Sequence, residues 1–407
     1  MDHALYQAQM NLFELVKAAP PDPILGLSEA FRADPNPEKI NLTVGVYQDA
    51  EGKPPVLPSV LEAQKRLAEE GAGKSYLPIN GDPLFLQKTR ALVFGPQSHL
   101  VEDGRVASVQ TPGGTAALRL AGDFIQHGLG QRTVWLSNPT WANHKGIFTA
   151  SGLEIASYPY YNAETHDLNL EGMITVLEAI PDNDVVVFHA CCHNPTGVDP
   201  SIDNWDTIAK VCKERRLLPI LDFAYQGFSR GILDDAAAVR AFAEYGLEFF
   251  VCTSFSKNFS LYQDRVGVLH VVAKNSDEAE RSLSRLKALV RTNYSNPPAH
   301  GSAIIRTILS DSELRQQWEE ELKEMRLRLK EVRGQLVDAL AEAAVPGDFG
   351  FLRNHRGMFS YTGLPEATLQ RLRAEYSIYI VESGRINVAG LNEANLPRFA
   401  RALADCL

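Results

Sequence analysis

Lys257, Asp222 and a set of glycine and hydroxyl residues are the side chains in this 407-residue chain whose types and spacing point to covalent chemistry. In Leu218-Pro219-Ile220-Leu221-Asp222-Phe223-Ala224-Tyr225-Gln226-Gly227 an acid ends an apolar run. That pattern reads as a buried strand whose carboxyl end lies at the edge of a parallel sheet, where such folds bind ligands. A carboxylate placed there must be paired or hydrogen-bonded. The next apolar run, residues 249–254, leads into Phe255-Ser256-Lys257-Asn258-Phe259 and then Asp264-Arg265-Val266-Gly267. Ser254, Ser256, Lys257 and Arg265 thereby gather hydroxyls and cations at the same edge. Thr111-Pro112-Gly113-Gly114-Thr115 precedes an apolar helical pattern, and small residues at a helix start let backbone N–H groups and a hydroxyl approach a phosphate.

Singly, each feature has an ordinary alternative: a solvated surface Lys or Arg, or a helix N-cap at Thr115 or its neighbours. Their combination is more specific. A phosphate cup, a buried acid at one strand end and a lysine at another are the parts that a pyridoxal phosphate enzyme requires. Lysine supplies the amine for a Schiff base, aspartate keeps a pyridine nitrogen protonated as an electron sink, and the serines, Thr115 and Arg265 hold the phosphate.

Two other motifs lead elsewhere. Gly71-Ala72-Gly73-Lys74-Ser75 resembles the end of a P-loop, but Ala68 stands where that pattern needs glycine, so a helix-ending turn is the better account. His189-Ala190-Cys191-Cys192-His193 holds four metal-ligand types in five residues, yet side chains on an extended strand alternate faces and cannot readily converge on one ion. Buried cysteines and hydrogen-bonded histidines are expected there, and no metal site.

The elements that must position these residues follow from the apolar pattern. Short apolar runs at 133–137, 185–191, 217–222, 249–254 and 266–272 read as buried strands, and helical patterns at 115–127, 202–215 and 234–245 separate most of them. Such alternation argues an α/β fold with a mostly parallel sheet covered on both faces. Residues 312–344 read as a connecting helix, roughly 48 Å long if unbroken. Beyond it, strand patterns at 359–361, 378–381 and 385–388 and a closing helix at 393–404 suggest a smaller α+β lobe. The first fifty residues read as an arm plus a strand that joins another part of the fold. The expected division is therefore 1–50, arm and part of the small domain; 51–322, the large domain; and 323–407, the C-terminal small domain.

Composition narrows the function classes. Apolar residues make up 45% and charged residues 22%, which excludes disorder, collagen and coiled coil. No apolar run approaches the roughly 20 residues of a membrane span, and the first residues lack a signal or transit layout, so a cytoplasmic location is expected. Five cysteines without C-x-x-C spacing point to reduced thiols. A net charge of −10 repels nucleic acid and anionic lipid, so neither is expected as a partner, and any anionic ligand must meet a local cationic pocket.

The residues resemble class I aminotransferases of the aspartate and aromatic subgroup over nearly the whole chain. The matching stretches are 41–47, 75–81, 110–118, 137–145, 189–197, 222–227, 254–267, 293–301 and 383–390. The resemblance implies fold-type I architecture, with a small domain built from both chain ends. It also implies that Lys257 forms the internal aldimine with pyridoxal 5′-phosphate and, once released, moves the proton between substrate Cα and the cofactor. Asp222 would pair with the pyridinium nitrogen, supported by His144 and His189. Tyr225 and Asn194 would bond the ring oxygen, and Trp141 would stack on the ring. Gly114, Thr115, Ser254, Ser256 and Arg265 match the phosphate cup, with Tyr76 donated by a second subunit of a homodimer whose sites are shared.

For substrate, the resemblance assigns the α-carboxylate to Arg385, with Gly45, Trp141 and Asn194 beside it, and a distal carboxylate to Arg291 reaching across the dimer. The implied reaction is ping-pong transamination with 2-oxoglutarate and glutamate as the shared pair. Thr115 and Asn296 are aspartate-like, Thr43 replaces the usual small residue near the pocket, and Ser75 precedes Tyr76 where the two subgroups differ. Aspartate is therefore the first expectation for the other donor, and tyrosine or phenylalanine the alternative. A lyase or decarboxylase on the same cofactor, and a silent sensor that has kept the fold, are the competing readings. The first is separated by the dicarboxylate dependence on Arg291, the second by the failure of bound aldehyde to convert to amine.

Overall fold

The computed structural model describes residues 12–18 and 23–407, so residues 1–11 and 19–22 of the expected arm lie outside the described residues. Seven strands form the central sheet: β1 Val106–Thr111, β2 Thr133–Asn138, β3 Glu154–Pro159, β4 Val185–His189, β5 Leu218–Phe223, β6 Phe249–Ser254 and β7 Gly267–Val272. Their spatial order is β1-β7-β6-β5-β4-β2-β3. β7 runs antiparallel to β1 and β6, and the other pairs are parallel, as expected of a mostly parallel α/β sheet.

Each central strand feeds two cores, which is why its sequence is apolar throughout rather than alternating. Val186 and Phe188 of β4 join one core while Val185 and Val187 join the other; Phe249 and Val251 of β6 divide from Phe250 and Cys252 in the same way. Helices α1 Gly114–Phe124, α2 Asn143–Ala150 and α3 Ser276–Asn293 cover one face, through residues such as Leu118, Phe148 and Leu286. Helices Pro83–Phe94, Ile202–Glu214 and Ala237–Glu244 cover the other, through Phe85, Trp205 and Phe242.

The anticipated runs are β2 and β4 to β7. β1 and β3 escape the apolar pattern for two different reasons. In β1, Ser108 and Gln110 interrupt the run yet are buried, because Ser108 Oγ meets His270 Nδ1 at 2.8 Å and Gln110 Nε2 donates to the Pro298 carbonyl at 2.8 Å. Satisfied polar groups can occupy a core strand. β3 is the last strand of the sheet, and Glu154 is exposed.

Helix α4, Ser312–Glu342, is the expected connector. Leu314, Trp318, Leu322, Met325 and Leu329 pack in the first core, whereas Val332, Leu336, Val337 and Leu340 pack in a third core. That third core draws on both chain ends, since Ile40 and Leu42 join residues between Val345 and Cys406. Ile40–Asn41 pairs in parallel with Ile378–Tyr379, and Phe359–Tyr361 pairs antiparallel with Arg385–Asn387. The closing helix α5 is Leu396–Cys406 and starts later than expected. The preceding residues close a turn instead, with Asn392 N donating to Asn395 Oδ1 at 2.9 Å, and Pro397 sits in the first helical turn. Among the described residues no helix is long and apolar enough to cross a membrane.

Candidate active site

Because only β7 is reversed, the carboxyl ends of the other six strands and the start of β7 share one edge of the sheet. A cavity of about 270 Å³ opens there, and all the sequence-predicted site residues line it except His144, Tyr76 and Arg291. Asp222, one residue from the end of β5, stands opposite His189 of β4 and Cys252 of β6. Ser254 ends β6, Lys257 follows it, and Arg265 leads into β7.

Asp222 is 8% exposed and receives a hydrogen bond from His144 Nε2 at 2.9 Å. His144 is fully buried on α2, behind the acid rather than in the cavity. Its Nδ1 meets Thr140 Oγ1 at 2.8 Å, and the same hydroxyl meets His189 Nε2 at 3.2 Å. His189 thus supports Asp222 through Thr140 and His144, not by direct contact. Burial pushes the Asp222 carboxyl up, but the hydrogen bond and charge of His144, with His189 and Lys257 adding to them, outweigh burial and hold it below the usual carboxylate range.

Lys257 Nζ lies 4.9 Å from the centre of the Tyr225 ring and has no ion pair among the described residues. Burial lowers its ammonium to about 8, against the opposing pull of Asp222, and Arg265 lowers it further. Only the neutral amine attacks an aldehyde. The rate of pyridoxal phosphate capture by cofactor-free protein should therefore rise with pH and level off above about 8. In D222N the raising charge is gone and the midpoint should move down. A stopped-flow pH series measures both, and a midpoint near that of free lysine, or an upward move in D222N, would contradict this electrostatic account.

The phosphate cup is built from backbone as much as side chain. No side chain caps α1, whose N-cap is Gly113 with φ 88°; of the expected N-cap alternatives, Thr115 lies inside the helix and its neighbour Gly113 takes the position without a side-chain cap. The free N–H groups and the positive helix end face the cavity wall formed by Gly114 and Thr115. A side chain at Gly113 would put its Cβ 2.9 Å from Arg265 Cζ. Arg265 Nη1 donates to Ser256 Oγ at 3.2 Å, and Ser254 Oγ donates to Ser256 Oγ at 3.2 Å.

Arg385 is buried at 4% exposure without a carboxylate partner among the described residues. Its guanidinium stacks over Phe359 at 4.2 Å, Nη1 donates to Asn194 Oδ1 at 3.2 Å and Nη2 to the Thr43 carbonyl at 2.5 Å. Its Nε is left without a partner. Thr43 contributes that carbonyl only; its hydroxyl turns to Asn41 Oδ1 at 2.7 Å, and the residue does not line the cavity. Tyr225 is also buried, which pushes its phenol up against the opposing pull of Arg385.

Tyr76 and Arg291 are not brought to the cavity of their own chain. Tyr76 is 91% exposed, and Arg291 lies on the exposed face of α3, bonded to Ser295 Oγ. Conversely, Leu118, Ala224, Tyr262 and Phe359 line the cavity without having been singled out by type or spacing. Asp199 is a further omission. Its carboxylate accepts from the backbone N–H of Cys192 (2.8 Å) and His193 (2.9 Å) and from Ser229 Oγ (3.1 Å), tying the loop that carries Asn194 to the loop that follows Tyr225. At 189–193, His193 is hydrogen-bonded within the protein: its Nε2 meets Ser137 Oγ at 3.0 Å and its Nδ1 meets Thr196 Oγ1 at 2.8 Å.

An uncapped helix end with two serines and an arginine calls for a phosphate, a partly neutral lysine calls for an aldehyde, and a carboxylate held ionised at the far side calls for a protonated ring nitrogen. Pyridoxal phosphate carries all three groups, and the residues present fit it; fold and site together define a fold-type I pyridoxal phosphate enzyme.

The model of the family "Aminotransferase class I and II" matches residues 37–403. The chain is 48% identical to the aspartate aminotransferase of Escherichia coli over 97% of its length and all of that protein. It is 49% identical to the aromatic-amino-acid aminotransferase of Pseudomonas aeruginosa over 97% of its length and 99% of that one. Among solved structures, the aromatic-amino-acid aminotransferase of Burkholderia pseudomallei, covalently bound to pyridoxal phosphate, superposes with a TM-score of 0.96 at 48% identity, covering 98% of this chain and 100% of that one. The chain belongs to the class I and II aminotransferases. It is a pyridoxal-phosphate-dependent aminotransferase close to the aspartate and aromatic amino acid enzymes.

Proposed function

We propose that this enzyme moves the amino group of aspartate, and of aromatic amino acids beside it, to 2-oxoglutarate in two half-reactions, and that it works as a homodimer in the cytoplasm. The observation that carries the reading is one cavity holding Lys257, Asp222 and an Arg385 without a carboxylate partner, in a chain about equally similar to aspartate and aromatic enzymes.

Pyridoxal phosphate, when bound, supplies the aldehyde carbon that takes the amino group and the ring that withdraws electrons from substrate Cα. Arg385 binds the substrate's α-carboxylate; its guanidinium is pre-set by Asn194, Thr43 and Phe359, so little side-chain freedom is lost on binding. Lys257 Nζ would take the proton from substrate Cα and deliver it to the cofactor carbon that keeps the amino nitrogen, a task suited to an amine lowered to about 8. Asp222, steadied by His144, would hold the proton on the ring nitrogen. Tyr225 and Asn194 would hold the ring oxygen, Trp141 would stack on the ring, and the cup of Gly114, Thr115, Ser254, Ser256 and Arg265 would anchor the phosphate.

Arg291 and Tyr76 are read as gifts of the second subunit, Arg291 to the substrate's distal carboxylate and Tyr76 to the phosphate. Their exposure outside their own cavity supports this. The protein should then sediment at twice its chain mass of 44.9 kDa; a monomer with full activity would refute it. R291L should lower kcat/KM for aspartate and glutamate about tenfold to a hundredfold, the value of a charge-assisted bond, and leave phenylalanine nearly unchanged. Steady-state assays of the four donors test this, and equal losses for all of them would defeat the assignment.

A further inference from the structure

A second cleft, of about 510 Å³, lies between the loop that follows Tyr225, the middle of α4 and the segment before Phe359, and it shares no lining residue with the active site. Six cations line it: Arg230, Arg326, Lys330, Arg333, Arg353 and Arg356. No acidic side chain does, and among the described residues only Arg353 is ion-paired, to Asp338. In a chain of net charge −10 such a concentration of one sign is not a property of the average surface.

Side-chain hydrogen bonds hold Arg333 and Arg326 in place. Arg333, 3% exposed, donates through Nε to Ser360 Oγ at 3.0 Å and through Nη2 to the Gly357 carbonyl at 2.6 Å. Arg326 Nη1 donates to the Gly227 carbonyl at 2.9 Å. The backbone N–H of Arg230 is fixed by Asp235 Oδ1 at 2.7 Å, and that of Arg356 by the Gly197 carbonyl at 2.6 Å. His355, also 3% exposed, lines the cleft with neither ring nitrogen meeting a partner in good hydrogen-bond geometry. Burial above all, with the neighbouring Arg356, lowers Arg333 to about 10 against the opposing pull of Cys192 and Asp199.

We propose that this cleft is a second ligand site, which takes a small molecule bearing two or more adjacent phosphoryl groups. Guanidinium forks match phosphoryl oxygens, the volume falls in the range of small-molecule sites, and the unpaired cations on three separate segments need more than one negative charge. The ligand would bridge the loop that follows Tyr225 and the segment that leads to Phe359, at the junction between the first and third cores.

The test is calorimetric titration of the pyridoxal-phosphate-loaded enzyme with pyrophosphate and, in parallel, with ATP. Maleate is present throughout to occupy the substrate arginines. One site per chain is expected, weakened by salt, with R230Q and R356Q each lowering affinity roughly tenfold. Cofactor absorption and thermal melting verify that both variants fold. Tighter binding of ATP assigns a nucleotide and equal binding a bare polyphosphate, and either upholds the site. No saturable heat with either probe, weaker binding when the maleate concentration is raised, or wild-type affinity in R230Q combined with R356Q would overturn it. Aspartate turnover, measured separately, reports on the aminotransferase reading and not on this one.

Discussion

K257A should lose roughly 10⁴-fold or more in kcat while keeping its fold and its cavity. In the proposed mechanism one side chain serves both as the nucleophile that receives the cofactor aldehyde and as the carrier of the Cα proton, and losses of that order follow when a shared nucleophile or base is removed. The site offers no substitute. The guanidiniums of Arg265 and Arg385 in the same cavity carry no free amine and are engaged with Ser256 and with Asn194 and Thr43. K257R separates charge from nucleophilicity: it keeps a cation beside Tyr225 and should be nearly as inactive as K257A. Steady-state turnover with aspartate and 2-oxoglutarate measures both, and activity in K257R within tenfold of wild type would contradict the role given to the amine.

D222N should lower kcat by roughly 10² to 10³, the range seen when a preorganised electrostatic partner of a developing charge is removed. Asparagine is nearly isosteric and can still accept from His144 Nε2, so the Thr140-His144-His189 network survives. What disappears is the negative charge, which a burial this deep sustains only because His144 and Lys257 oppose it. Without it the ring nitrogen loses its proton and the electrons of the Cα–H bond have no sink. Affinity for the cofactor's phosphate should change little, because the cup of Ser254, Ser256 and Arg265 is built on other elements. Measuring kcat and cofactor affinity in one variant therefore separates chemistry from binding, and a loss of cofactor with kcat unchanged would invert the assignment.

The central strands and the acid-lysine pair are legible in the sequence for the same reason. A strand buried on both faces is apolar from end to end, so a charge at its terminus stands out, as Asp222 does after Leu218–Leu221 and Lys257 does just beyond Phe249–Ser254. β1 is not legible, because its Ser108 and Gln110 are satisfied by His270 and Pro298 far along the chain. The support of the site is hidden in the same way. Phe359 beneath Arg385, the Tyr262 hydroxyl accepting from Tyr47 N at 2.9 Å, and Asp199 between two loops all join residues without a short-range pattern. Tyr76 and Arg291 mark the opposite case, in which family resemblance supplies a role that a single chain does not display.

The most direct measurement is a single half-reaction on the pyridoxal-phosphate-loaded enzyme, with aspartate and no 2-oxo acid. The account predicts one equivalent of oxaloacetate released per chain, an accompanying change in cofactor absorption, and recovery of the original spectrum on adding 2-oxoglutarate, with glutamate formed in equal amount. Release of carbon dioxide or ammonia in place of oxaloacetate, or an unchanged spectrum with aspartate, glutamate, phenylalanine and tyrosine alike, would contradict it.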